Sequence, residues 1–576
     1  MNVRRQWIWI ALIVVWTVFL AGCNATTPPD EPPVESGPVA LDIVADNAAG
    51  YTIVVSDRAS SEVTEMAVEL RSAIEAVTGV KLELTDDFVE KDGEPFAREI
   101  IIGLTQREES IQALRETPYG EYSICVVGEK IVIAGWDESA LNLACVRLTE
   151  HVEENGAAGQ YSLMSDYALS GKTFAGLSEL PLYGDVKAKI QFFDIGESSR
   201  MLYVRNTTAE EFNTFLDRMS EAGLNKFASR EAGKNLFATF TSEKSVINAS
   251  FNASTREARI TVDKAYDMTI FTEQKYEKIC EPAVHLLGLE FSAPSDPDNY
   301  VLNALGLIFR LEDGRFIIVD GNYYGNKQAK LLYEALCDLA VDKDNIVIAA
   351  WVFTHAHSDH VGAFSTFAGS DMKDKVTIEN FLYHSASDKQ YKALGTFGAL
   401  SDMRSAMNKY PAANKIKVQA GQVLRAGGAE VEILSTFAEM EPATLKDFNV
   451  TSIVLRFNLG GNTVLVPGDA PDGPCNAILR RYGNYLKSDI VQITHHGYDG
   501  VAEFYKAVDA DVILFPVAAR QFYGRGELYR IMDWAHNKAA LDLAKECYVA
   551  AATGHTLILP HTPEDNKTVK IYDGEN

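Results

Sequence analysis

The run Thr354-His355-Ala356-His357-Ser358-Asp359-His360-Val361-Gly362 follows directly on an apolar stretch, Ile346 to Phe353, that reads as a buried strand. Three imidazoles and a carboxylate in so short a span are costly in a folded interior unless something binds them. Residues two apart on an extended chain point to the same side, so His355 and His357 can share one cation. Asp359 and His360 come in the turn that follows and can address a second cation beside the first. A satisfied core residue is a sufficient reading of one such histidine, but not of four ligand-type side chains together.

Three other stretches read as strands that end in chemistry. A hairpin, Leu307 to Leu311 and Phe316 to Val319, turns at Asp313-Gly314 and runs into Asp320-Gly321. Asn449 to Leu455 (NVTSIVL) is followed by Leu465 to Ala470 (LVPGDA), which contains Gly468-Asp469. Asp489 to Gly497 (DIVQITHHG) ends in the pair His495-His496. Together with His-x-His-x-Asp-His-x-Gly, these stretches resemble the metallo-β-lactamase fold superfamily. Within it, the chain looks most like the branch holding the hydrolase domain of competence DNA-uptake proteins and the phosphorylcholine esterases. The resemblance spans residues 300–576 and implies an α/β fold, an αββα sandwich with the ligands at one rim. It implies that His355 and His357 ligate a first metal, that Asp359 and His360 ligate a second, and that Asp469 bridges the two. One of the final pair completes the second site. We assign His496 to that place and His495 to the substrate's oxyanion, with the reverse assignment left open. Asp320 matches the aspartate that orders the metal loop by hydrogen bonds.

One position departs from the pattern. Many superfamily members carry another first-metal histidine about 20 residues before the bridging aspartate; here Asn449 stands there, and no histidine lies between His384 and His495. An amide carbonyl is a weaker zinc ligand than imidazole. His384, after the stretch Ile378 to Tyr383, either reaches the site from elsewhere or faces solvent or substrate.

Two divalent ions side by side, zinc in the first instance, lower the pKa of a shared water from 15.7 toward about 7. Asp359, Asp469 and His495 are then the catalytic candidates, with Asp469 fixing the ion separation and orienting the nucleophile. No Gly-x-Ser-x-Gly elbow or phosphate-cradling glycine loop competes with this reading, since Gly427-Gly428 and Gly460-Gly461 read as hairpin turns. With 53 basic and 80 acidic residues the net charge is −27, which argues against nucleic acid as a partner. The expectation is a metal-dependent hydrolase acting on a phosphodiester or phosphoester of an envelope glycan, lipid head group or small extracellular molecule. A carboxylic ester or lactone hydrolase is the alternative, and a non-catalytic surface binding protein is the rival from another class. Tyr498, Phe522, Tyr523, Trp534 and His555 are candidates to line the pocket or to pack in the core.

The remainder of the chain reads as an address and two accessory parts. Arg4-Arg5, an apolar run from Trp7 to Phe19, and Leu20-Ala21-Gly22-Cys23 form a secretory signal over residues 1–22. Its ending resembles the lipobox of bacterial lipoproteins, which implies lipid, palmitate included, on Cys23 and an extracytoplasmic body tethered to a membrane. An uncleaved anchor helix is the other reading. Residues 23–40 form a Pro-rich spacer. Residues 41–170 alternate strand and helix and resemble the small α/β domain ahead of the barrel in α-glucuronidases and β-hexosaminidases. Residues 187–275 read as an α+β unit without chemistry of its own. The other six cysteines show no paired spacing and read as buried thiols. The oligomeric state is not legible.

Overall fold

Strands that bury both faces must have partners on both, and central strands of the C-terminal half such as Phe316–Asp320 and Val512–Ala518 are buried throughout. In Phe316–Asp320, Ile317 and Val319 face one core while Phe316 and Ile318 face another. The computed structural model describes residues 37–88, 95–173, 176–186, 188–289, 302–395, 398–441, 445–525 and 528–574; the expected signal, Cys23 and most of the spacer lie outside them. No described helix is long and apolar enough to cross a membrane.

Two eight-stranded sheets face each other in the C-terminal half. One carries, in order, Asn414–Lys417, Asn380–Tyr383, Ile346–Val352, Phe316–Asp320, Gly306–Arg310, Ala283–Leu286 and His555–Ile558, with Val376–Ile378 beside Ile346–Val352. The other runs from Val423–Ala426 through Ala429–Ser435, Val454–Leu459, Asn462–Val466, Ile490–Gln492, Val512–Ala518 and Glu546–Ala550 to Lys570–Tyr572. Between them lies an apolar core in which Phe309 and Phe457 stack at 3.8 Å. Helices Asn326–Leu339, Ser358–Phe367 and Gly398–Met407 cover the first sheet. Helices Asp472–Tyr482, Ala502–Val508 and Ala535–Leu541 cover the second. This is the expected αββα sandwich. Its first strand, Ala283–Leu286, lies ahead of residue 300 and pairs with both Gly306–Arg310 and His555–Ile558.

The first accessory part is a mostly parallel sheet with helices Ser61–Thr78 and Glu138–Asn155 on one face and Glu108–Glu116 on the other. The second is a six-stranded antiparallel sheet under the helix Ala209–Glu221, which starts in a capping box between Thr208 and Glu211. This second unit is docked on the sandwich. Phe237 shares a core with Leu434, Val454 and Tyr482. The turn at Ile195 and Gly196 receives the buried ammonium of Lys417. All six described cysteines are free thiols.

Candidate metal centre

Four strand ends meet at one rim. Phe316–Asp320 and Ile346–Val352 run parallel, so Asp320 and the segment after Val352 leave the sheet on the same side. Asp320 is fully buried there: Oδ1 accepts from the Thr354 amide at 2.7 Å, and Oδ2 accepts from the Thr354 hydroxyl at 2.6 Å. The same Oδ2 lies 2.7 Å from His360 Nδ1, so one carboxylate fixes both the loop and an imidazole. From the opposite sheet, Asn462–Val466 leads through Pro467 into Gly468 and Asp469. Gly468 has φ +60°, and a Cβ there would stand 3.0 Å from the Thr354 Cβ; only glycine lets the two sheets close at this point. Next to it, Ile490–Gln492 ends in a turn where His495 (φ 45°) and His496 (φ 52°) are both left-handed. For non-glycine residues that conformation costs about 1–2 kcal/mol each, and such strain concentrates at functional sites.

Asp469 is the hub. Its Oδ2 lies 3.0 Å from His360 Nε2, 3.3 Å from His496 Nε2, and 3.9 Å from both His355 Nε2 and His495 Nε2. His496 Nε2 is also 3.3 Å from Asp359 Oδ2, whose position Asn303 Nδ2 fixes at 2.9 Å. One ligand atom each from Asp359, His360, Asp469 and His496 fall within 4.8 Å of one another, and so do those of His355, His357 and Asp469. The first group takes in Asp359, His360 and His496, the second His355 and His357, and Asp469 belongs to both. Asp469 Oδ1, His496 Nε2 and Asn449 Oδ1 are buried here without a hydrogen-bond partner. Such an orphan costs about 1–3 kcal/mol. A divalent cation satisfies the carboxylate and imidazole atoms at once, so the donor set fits the ions.

The charge pattern divides the two sets. Burial opposes ionisation of Asp469, yet His360 and His496 outweigh it and hold the carboxyl well below its usual range. Burial likewise opposes charge on His360, but Asp469 and Asp320 raise it well above the ordinary value. His496 rises from 6.5 to about 9 against the same burial penalty, through Asp469 and Asp359. Burial, and then the neighbouring His360 charge, push His355 well down and lower His357. Without ions, the Asp359/His360/His496 set therefore favours bound protons, while His355 and His357 favour the neutral form, with His355 Nε2 3.0 Å from His357 Nδ1.

The rim is open over His357, His495 and Asp359, whose side chains are 32%, 23% and 20% exposed; His355, His360 and His496 are closed off. Phe448 lies 5.4 Å from the His357 ring, and Tyr498 lies 5.9 Å from that of His495 with Trp534 behind it. Other sequence candidates fall elsewhere. Phe522 is in the core against Phe515, Tyr523 bonds Asp573, and His555 bonds the Val549 carbonyl. His384 is buried with Nδ1 on the Val418 carbonyl, in neither ligand set. Asn449 Nδ2 is 3.1 Å from His495 Nε2. Sequence reading passed over Asp499, 2.6 Å from His495 Nδ1, and Ser452, whose hydroxyl accepts from the Asp469 amide. The four-residue spacing from His495 to Asp499 was the available signal.

No family description matches the sequence, and no curated protein does. Among solved structures, the chain is similar to the metallo-β-lactamase fold protein YhfI from Bacillus subtilis, at 15% identity over 48% of this chain and 99% of that one, TM-score 0.30. It is similar to a diphosphatase from the PhnP family at 13% identity over 49% and 100%, TM-score 0.28. Zinc-bound PqqB from Methylobacterium extorquens aligns at 10% identity over 47% and 90%, TM-score 0.28. With scores this low, the fold and the site stand on their own layers and distances.

Proposed function

We propose that this chain is a metal-dependent hydrolase of the metallo-β-lactamase superfamily that cleaves a phosphodiester or phosphoester of an envelope or extracellular substrate, tethered to a membrane through a lipid on Cys23. The observation that carries the reading is the pair of ligand sets sharing Asp469, with buried ligand atoms of that carboxylate and of His496 left unsatisfied. When bound, two divalent ions, zinc by the imidazole-rich donor set, supply hydroxide at neutral pH and polarise the oxygen under attack. His355, His357 and Asp469 would hold the first; Asp359, His360, Asp469 and His496 the second.

The protein's own residues do the rest. Asp320 keeps His360 in the tautomer that turns Nε2 inward. The Asp469 amide donates to the Ser452 hydroxyl at 3.1 Å, which fixes the backbone that carries the carboxylate. Phe448 and Tyr498 flank the open side and exclude water around a bound group. An anionic phosphoester would suit this site, because ions held by His355, His357, Asp359, His360, Asp469 and His496 would supply positive charge for its oxygens.

The test is metal analysis of purified protein, followed by hydrolysis of aryl phosphodiesters, phosphomonoesters, carboxylic esters and lactones with and without chelator. The expected result is bound divalent metal, with phosphodiester or phosphoester turnover that chelation abolishes and His360→Ala lowers at least 100-fold. Turnover of only the carboxylic substrates would move the assignment to an ester or lactone hydrolase. Stoichiometric metal with no turnover on any of them would leave a binding protein.

A further inference from the structure

A metal-binding imidazole shows itself by its second nitrogen, which is held by a carboxylate or a carbonyl so that the first points at the ion. His360 has Nδ1 on Asp320 at 2.7 Å, and His496 has Nδ1 on the Pro516 carbonyl at 3.1 Å. His495 is built the same way. Its Nδ1 is 2.6 Å from Asp499 Oδ2, and its Nε2 is 3.9 Å from Asp469 Oδ2, the same separation as that of His355 Nε2 from this oxygen. Donation from Nδ1 to Asp499 leaves a lone pair on Nε2. The Asn449 amide lies 3.1 Å from it, at the position where the superfamily resemblance lacks an imidazole.

The backbone points the same way. Successive side chains of an extended strand face opposite sides, so His495 and His496 could not both address Asp469 from one. The two consecutive left-handed residues bring both rings onto it, held by the His495 amide on the Gly468 carbonyl at 3.1 Å and by the Tyr498 amide on the His495 carbonyl at 2.7 Å. An oxyanion contact, the role expected from sequence, needs an N–H at Nε2. With Asp499 accepting from Nδ1, the neutral ring has no N–H at Nε2.

We propose that His495 Nε2 is a third imidazole ligand of the first ion, beside His355, His357 and Asp469, with Asp499 as its positioning residue. This rests on the two-ion reading above. Ligand atoms around a tetrahedral zinc are about 3.4 Å apart; His495 Nε2 lies 3.9 Å from Asp469 Oδ2 but outside the cluster of His355, His357 and Asp469 atoms that fall within 4.8 Å of one another, so ligation needs a swing of its ring toward that cluster. His495 thereby replaces the imidazole missing at Asn449, and the first ion keeps the nitrogen-rich donor set that zinc prefers.

Equilibrium dialysis of the full chain against Zn²⁺ alone, with metal counted per chain and each step's affinity set by chelator competition, tests this without reference to activity. Wild type is expected to bind two ions. His495→Ala should keep the ion of the Asp359/His360/His496 set and weaken the other step at least 100-fold. Asp499→Asn, at a rim position whose side chain is 42% exposed, should weaken that same step about 10-fold and leave the other unchanged. In the Co²⁺-loaded protein, both variants should change the visible absorption of one site only. Two ions bound with wild-type affinities in both variants would overturn the role of His495 and leave the two-ion reading standing. A wild type that binds no ion, or one, would overturn both.

Discussion

His496 is where a single residue couples folding, protons and metal. Its folded-state pKa is raised from 6.5 to about 9 in the ion-free protein, because Asp469 and Asp359 outweigh the burial penalty. A raised pKa adds stability that is fully present below 6.5 and is lost as pH rises through about 9. Ligation needs the neutral ring, so ion uptake at this set must expel the proton. Between pH 6.5 and 9, the ion-free protein should therefore lose thermal stability, while zinc affinity at this set rises and the protons released per ion decline. Differential scanning calorimetry of ion-free protein and calorimetric titration in buffers of different ionisation enthalpy measure the two trends. An ion-free melting temperature that climbs across the window would contradict the charge pairing. The ligand types at this scale were legible in sequence, since residues 355–360, Asp469 and the final pair are where the motif places them. The environment of each was not. That Asp499 and Asn449 meet on His495 depends on two left-handed residues, which a histidine pair does not announce.

At the scale of elements, the site exists because two sheets approach at one rim. Gly468 is the contact point, and Thr354, which a Cβ would meet at 3.0 Å, cannot retreat because Asp320 holds both its amide and its hydroxyl. Gly468→Ala should therefore cost about 1–3 kcal/mol from overpacking, in addition to the positive-φ strain, and should lower zinc affinity by spreading Asp469 from His360. Gly473→Ala in the helix Asp472–Tyr482 meets nothing within 4 Å and serves as the control; helix propensity makes it neutral or slightly stabilising. Chemical denaturation of the two variants beside wild type makes the comparison. Equal destabilisation of both would show that Gly468 is an ordinary turn glycine. Most strands of the sandwich could be read from apolar runs bounded by turn residues, and Gly427-Gly428 and Gly460-Gly461 do form hairpin turns. Ala283–Leu286 could not: four buried residues after Pro282 carry no periodicity, and only pairing with the distant His555–Ile558 makes them a strand.

At the scale of the whole molecule, the second accessory unit and the sandwich share one interior. Lys417 is fully buried and gives its ammonium to the carbonyls of Ile195 and Gly196, while Asp263 is buried against Ser199 and Gln419 and lies in the field of Lys417. Arg259 crosses to the Glu441 carbonyl at 2.9 Å, and Arg230 reaches Glu432 at 2.8 Å. Breaking a buried charge pair by removing one member strands the other, which costs about 3–5 kcal/mol, whereas replacing both with neutral groups of like size is far milder. Lys417→Ala should accordingly lower the stability of the sandwich and the accessory unit together, in one transition. Lys417→Met combined with Asp263→Asn should recover only the part of that loss that comes from the stranded carboxylate, because Met leaves the Ile195 and Gly196 carbonyls without a donor. Thermal unfolding followed by near-ultraviolet circular dichroism, with zinc release monitored in the same sample, reads both. Were the accessory unit an independent appendage, Lys417→Ala would melt it in a separate early transition and leave zinc in place. Phe237, packed with Leu434, Val454 and Tyr482 across the junction, argues for the single transition, because no boundary between the units leaves that core dry.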